Sequence, residues 1–149
     1  MKEKEKKTSI LIKLMFFLII ALLFFFGWVF DFIYAKSFDI RCTYISNTAP
    51  YAREEDVVIF EIEVTKNGKP CKNHEIEVRC GENQGRFTSY LELTDDNGKV
   101  QFEYVPYYET MWQKAGPVEI TVLDLSNSIF IEVNAEYKFN EIVLQSWRP

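Results

Sequence analysis

The chain has 149 residues, a formal net charge of −5 and an unusual supply of aromatics: 3 Trp, 8 Tyr and 13 Phe. That aromatic content excludes a disordered chain, and the acidic balance argues against a nucleic-acid binder. Six Gly and five Pro exclude collagen-like sequence, and three Cys are too few for a disulfide-scaffolded miniprotein.

Residues 1–9 form a basic head. Across residues 1–13 five lysines stand against Glu3 and Glu5, leaving +3. Leu14 to Phe30 (LMFFLIIALLFFFGWVF) then runs seventeen residues without a charge. With Ile10 to Lys13 added, the segment makes a helix of about 31 Å, matching a bilayer core of about 30 Å. Lys13 is placed to snorkel to one interface, and Trp28 and Tyr34 fall at the other. Residues 10–35 are therefore expected to be a transmembrane signal-anchor helix, meeting the lipid bilayer through residues 10–30. Ile33-Tyr34-Ala35 weakly imitates a cleavage site, so a cleaved signal peptide competes with retention. The apolar run exceeds the roughly 7–15 residues of a signal-peptide core, which favours retention. A pilin-like leader would need a Gly before the run and an acidic residue just inside it, and both are missing. The positive-inside rule keeps the N-terminus cytoplasmic and sends residues 36–149 outward. That outer part carries 12 Lys/Arg against 19 Asp/Glu, or −7.

Residues 36–53 form a juxtamembrane join with a candidate first strand through Ile40, Cys42 and Tyr44, followed by a turn at Ser46 to Pro50. Residues 54–149 repeat a period of two. Apolar positions alternate with polar ones at Val58 to Val64, Ile76 to Cys80, Leu91 to Leu93, Val100 to Tyr104, Val118 to Val122 and Ile129 to Tyr137. Each predicts a strand with one core face and one wet face, and together an antiparallel sandwich. Asn67-Gly68 and Asn97-Gly98 are tight-turn signals between strands. Glu141 to Pro149 reads as one more strand through Ile142, Val143 and Leu144, or as a tail docked by Trp147. The expected fold is all-β, an antiparallel β-sandwich behind a single N-terminal transmembrane helix.

Four stretches recur in a telling order: Val64-Thr65-Lys66-Asn67-Gly68-Lys69-Pro70-Cys71, Glu75-Ile76-Glu77-Val78, Thr94-Asp95-Asp96-Asn97-Gly98-Lys99-Val100, and Ala115-Gly116-Pro117-Val118-Glu119-Ile120-Thr121-Val122. Their order and spacing over roughly residues 55–135 resemble the group 1 bacterial immunoglobulin-like domain of invasin- and intimin-type surface proteins. The resemblance implies an Ig-like sandwich and a role in adhesion or interaction. Cys71 stands where that pattern carries a small aliphatic residue, and the segment from Val105 to Gln113 is long and aromatic. Prealbumin-like and macroglobulin-like sandwiches share the same turn grammar.

Chemistry-bearing residues are sparse. His74, the only histidine, reads as an exposed turn residue beside a strand. Asp95, Asp96 and Asn97 set carboxylates beside Gly98, but lack the order of a calcium loop and are accounted for by turn geometry. Glu61/Glu63 and Glu75/Glu77 read as solvated strand faces rather than paired catalytic carboxylates. No nucleophile, phosphate-loop or metal signature appears, so no enzyme, cofactor or metal is expected. Cys71 and Cys80 sit on the order of 30 Å apart if the chain between them is extended, beyond a disulfide's reach. Cys42 could bond either one in an oxidising compartment, or all three could be small buried hydrophobes.

The aromatic loop is the most suggestive segment. Tyr107, Tyr108, Met111 and Trp112 either cover an open end of the core or face a partner, since Tyr and Trp offer rigid area with a polar tip. The expected protein is thus a non-catalytic interaction or adhesion module in a bacterial cell membrane. Its domain lies outside and binds a protein or envelope polymer, not nucleic acid, alone or as an oligomer. The alternative is an accessory structural subunit of a membrane complex such as a secretion or pilus system.

Overall fold

A computed structural model describes residues 2–127, 129 and 133–148, with backbone alone for residues 2–9. Helix α1 (Lys2–Ala35) contains the apolar run, and its stretch Ile10–Ala35 is long and apolar enough to cross a membrane. From Ile10 to Phe26 its residues are exposed on every face. Two residues separate the end of the helix at Ala35 from the first strand.

Nine strands follow: β1 (Phe38–Ile45), β2 (Val58–Lys66), β3 (Lys69–Pro70), β4 (Glu75–Cys80), β5 (Arg86–Phe87), β6 (Leu91–Leu93), β7 (Lys99–Val105), β8 (Ile120–Asp124) and β9 (Ala135–Phe139). They form two antiparallel sheets. One has the order β1-β2-β7-β5, with β3 paired to β2, and the other β6-β4-β8-β9. Sequence neighbours β3 and β4, β6 and β7, and β7 and β8 lie in opposite sheets, the crossing pattern of an immunoglobulin-like Greek key.

Alternation explains the core. Val58, Phe60, Ile62 and Val64 of β2 face inward against Ile76 and Val78 of β4 and Ile120 and Val122 of β8, all completely buried. Phe60 sits at the centre, with Phe139, Phe102 and Phe87 rings 5.3, 5.8 and 5.9 Å from its own. Ala135 and Phe139 continue the core in β9; Phe130, Ile131 and Glu132 of the expected strand lie outside the described residues.

The structure corrects three expectations. The candidate first strand is β1, but a bulge between Cys42 and Tyr44 breaks its alternation, so Ile40 is buried and Tyr44 exposed. Leu91 and Leu93 do not face the core. They pair with Glu77 and Glu75 and so share the outer face of their sheet. Asn67-Gly68 closes the β2–β3 hairpin with both residues at positive φ, whereas Asn97-Gly98 carries the chain from one sheet to the other.

The terminal segment forms no further strand among the described residues, only isolated bridges of Val143 to Pro117 and Gln145 to Tyr51, and it docks as a tail. Ile142 and Leu144 are buried, the Val118 amide donates to the Ile142 carbonyl and the Leu144 amide to Gly116. Trp147 packs against the core beyond them.

Candidate functional site

β7 runs antiparallel to β2. Its Lys99 end lies near Phe38 and the anchor helix, while Val105 points to the opposite end. Buried Pro106 follows, and having no N–H it ends the ladder. The aromatic loop therefore sits at the end of the sandwich furthest from α1.

The loop has two halves. In the first, Tyr107 is half-buried and donates its hydroxyl to the Lys114 carbonyl at 2.7 Å. Burial, with the Glu109 charge behind it, pushes the Tyr107 phenol above its ordinary value. Tyr108 lays its ring 5.0 Å from that of Trp147. Glu109 is buried: its amide donates to the Ala52 carbonyl at 3.0 Å and its Oε2 accepts the Ser146 hydroxyl at 2.7 Å. These contacts tie the loop to both neighbouring segments.

The second half is a tight turn held from below. The Thr110 amide donates to the Gln113 carbonyl at 2.9 Å, and the Thr110 hydroxyl accepts the Gln113 amide at 3.0 Å. The Gln113 side-chain amide bonds the Asn83 carbonyl. The two central residues are lifted into solvent: Met111 is 74% exposed and Trp112 93%. Side chains this exposed bury little of their apolar area within their own chain. Of the four sequence candidates, then, Tyr107 and Tyr108 brace the loop while Met111 and Trp112 are presented.

At the other end the helix is tied to the sandwich. Asp31, fully buried, accepts the Ile129 amide at 3.0 Å, and Ala35 joins the core cluster. Lys13 and Trp28 are exposed on the helix. Tyr34 is half-buried: its ring meets Phe38 edge-on at 5.2 Å, and the Lys66 ammonium lies 3.7 Å from its centroid. Tyr34 thus belongs to the junction of helix and sandwich.

His74 is not an exposed turn residue. Its Nδ1 stands 2.6 Å from Oδ2 of fully buried Asp124, and its ring is 5.4 Å from Phe38. The other Asp124 oxygen accepts the Ser126 amide at 2.9 Å, shaping the 3-10 turn Leu125–Asn127 that touches α1. A carboxylate at an inward strand position was the available signal, because such a group needs a partner when buried.

Cys42, Cys71 and Cys80 are free thiols in this structure, Cys71 buried and the other two half-buried. Burial pushes all three thiols up, as expected of small buried hydrophobes. Asp95 spends its carboxylate on the Asn97 and Lys99 amides, and Asp96 pairs with Lys72. Among the described residues no cluster of three or more His, Cys, Asp or Glu could hold a metal ion.

An inner pair β2-β7 flanked by β1 and β5, facing an inner pair β4-β8 flanked by β6 and β9, defines an immunoglobulin-like β-sandwich. The sequence matches no family model and no curated protein. Among solved structures it is similar in fold to the D00–D0 domains of intimin, at 13% identity and a TM-score of 0.50, over 70% of this chain and 47% of that one. It is also similar to the D0–D1 domains of intimin, with 22% identity, a TM-score of 0.45 and coverages of 68% and 49%. A third similar structure is a C-terminal 282-residue fragment of intimin in complex with the intimin-binding domain of the translocated intimin receptor. There the identity is 22%, the TM-score 0.47 and the coverages 68% and 33%. The chain spans between a third and a half of the length of these structures.

Proposed function

We propose that this chain is a membrane-anchored, extracytoplasmic Ig-like interaction module of a bacterial cell envelope, without catalytic activity. α1 spans the membrane with its N-terminus in the cytoplasm, Lys13 at one interface and Trp28 and Tyr34 at the other. The sandwich stands outside and meets a protein or envelope polymer through its far-end loop. Met111 and Trp112 make the contact, and Tyr107 and Tyr108 hold it in shape.

The exposure of Met111 and Trp112 on a turn braced at both ends carries this reading. A preformed turn loses little conformational freedom on binding, and exposed Trp is the side chain most enriched at binding hot spots. A photo-crosslinking residue placed at 112 in living cells is expected to give a discrete adduct, while one at Lys138 gives none. Absence of adducts at 112, or equal labelling at both positions, rejects the loop as the contact. A periplasmic-type reporter fused after Arg148 is expected to be active, and an inactive one rejects the topology.

A further inference from the structure

Two sheets have four edges, and three of them are closed or very short. β1 and β9 lie beside each other across the sandwich. β5 is two residues long. β6 differs from all of these.

On its inner side β6 is paired. The Val78 amide donates to the Tyr90 carbonyl at 2.9 Å, the Thr94 amide donates to the His74 carbonyl at 2.9 Å, and Ile76 lies opposite Glu92 between them. Antiparallel pairing alternates, so the backbone groups of Leu91 and Leu93 point away from β4 towards the open edge. The Ser89 hydroxyl donates to the Leu91 carbonyl at 3.1 Å. The Leu91 and Leu93 amides have no acceptor among the described residues. Beside this open edge Leu91 and Leu93 stand 45% and 60% exposed on the outer face, and Glu92 is exposed on the other.

That pattern states what it would accept. A second copy pairing by twofold symmetry about Glu92 would set two carboxylates directly opposite each other, which is destabilising. An inward-pointing charge on an edge strand is a known guard against self-pairing. A strand with apolar residues opposite Leu91 and Leu93 and a cation opposite Glu92 meets no such penalty. We propose that β6 accepts an extended segment of a protein partner that carries a basic residue between two apolar ones, adding a fifth strand to its sheet. This edge lies on the side of the sandwich, and the inference stands apart from the far-end loop.

The test uses the full chain in lipid nanodiscs and two probe peptides, Thr-Val-Lys-Val-Thr and Thr-Val-Glu-Val-Thr. The lysine peptide at saturation is expected to slow exchange of the Leu91 and Leu93 amides about tenfold, and the glutamate peptide to leave them unchanged. Glu92→Lys is expected to reverse the preference, and Glu92→Gln to abolish it. Equal slowing by both peptides, no slowing by the lysine peptide, or self-association of the chain that Leu93→Lys removes would overturn the proposal.

Discussion

The two ends of the sandwich handle their polar and apolar groups in opposite ways. At the helix end, polar side chains are buried and their carboxylates are partnered: Asp31 holds the Ile129 amide and Asp124 holds His74 and the Ser126 amide, while Asn127 Oδ1 accepts the Ala135 amide at 3.0 Å and its Nδ2 is left without a partner among the described residues. At the far end, apolar side chains are exposed and have none: Met111 and Trp112 stand clear on a turn. Burying a polar group is favourable only when its hydrogen bonds are replaced, so the first end is committed to holding one geometry. Exposing a Trp forgoes burial that would stabilise the fold, so the second end leaves stabilisation unused.

The largest effect is expected where that commitment is cut. Asp124→Ala leaves the His74 ring and the Ser126 amide without their acceptor. Removing one member of a buried pair costs a few kcal/mol, and partial exposure of His74 lowers that to about 3 kcal/mol. Urea unfolding of the full chain in mild detergent checks this. A loss under about 1 kcal/mol would mean that the helix end is no more committed than an ordinary surface.

Gly98→Ala is expected to rank next. Its φ of +72° already disfavours a side chain, and an added Cβ would lie 2.5 Å from the Val64 carbonyl oxygen and 2.9 Å from the Cys71 nitrogen. Both are backbone atoms of the strand and turn that receive this crossing, so relief requires moving the sheet. A loss of about 2–3 kcal/mol is expected in the same unfolding assay. Gly68→Ala shares the positive φ but meets nothing within 4 Å, and is expected to cost about 1 kcal/mol.

Much of this was legible in the residues, and the failures share a cause. Period-two alternation located β2, β4 and β7 and the inward faces of β2 and β4, because both neighbours of each strand reward the same parity. It misassigned Leu91 and Leu93 because an edge strand has a neighbour on one side only, and three residues are too few to show which face is wet. The bulge that exposes Tyr44 is an insertion in pairing, invisible in a single strand. The His74–Asp124 contact joins residues fifty positions apart, and only the β4–β8 pairing brings them together. The aromatic loop was recognised as a unit, but its division rests on the Thr110 turn and on Glu109 reaching Ser146, contacts that local pattern does not encode.

Between the two ends, the outer face of the β1-β2-β7 sheet carries a network that acid should loosen. The Lys99 ammonium at 2.7 Å, and then the Thr43 hydroxyl at 2.7 Å, hold the Glu61 carboxyl below its ordinary 4.5. The folded value lies below the unfolded one, so Glu61 contributes stability above about pH 4.5 and loses it as pH falls through the folded value. Lys99→Met is expected to flatten the acid side of the stability profile while leaving its shape above pH 5 essentially unchanged, apart from a small uniform offset. A profile that keeps its acid slope would assign the sensitivity to other carboxylates.

The smallest stability effect is expected where the far end is most conspicuous. Met111→Ser with Trp112→Ser removes the two most exposed large apolar side chains described beyond the helix, 74% and 93% exposed, neither bracing the loop through its side chain. The turn itself is held by Thr110 and Gln113, which remain, so unfolding free energy should move by no more than about 0.5 kcal/mol. Tyr107→Phe, by contrast, removes the hydroxyl that reaches Lys114 and is expected to cost about 1 kcal/mol at the loop's braced half. The pair of measurements separates cover from contact. If the double variant melts early, Met111 and Trp112 belong to the fold and both ends of the sandwich obey one rule. If it holds its stability and loses the crosslinked adduct, the far end is kept apolar against its own solvation because something else is meant to cover it.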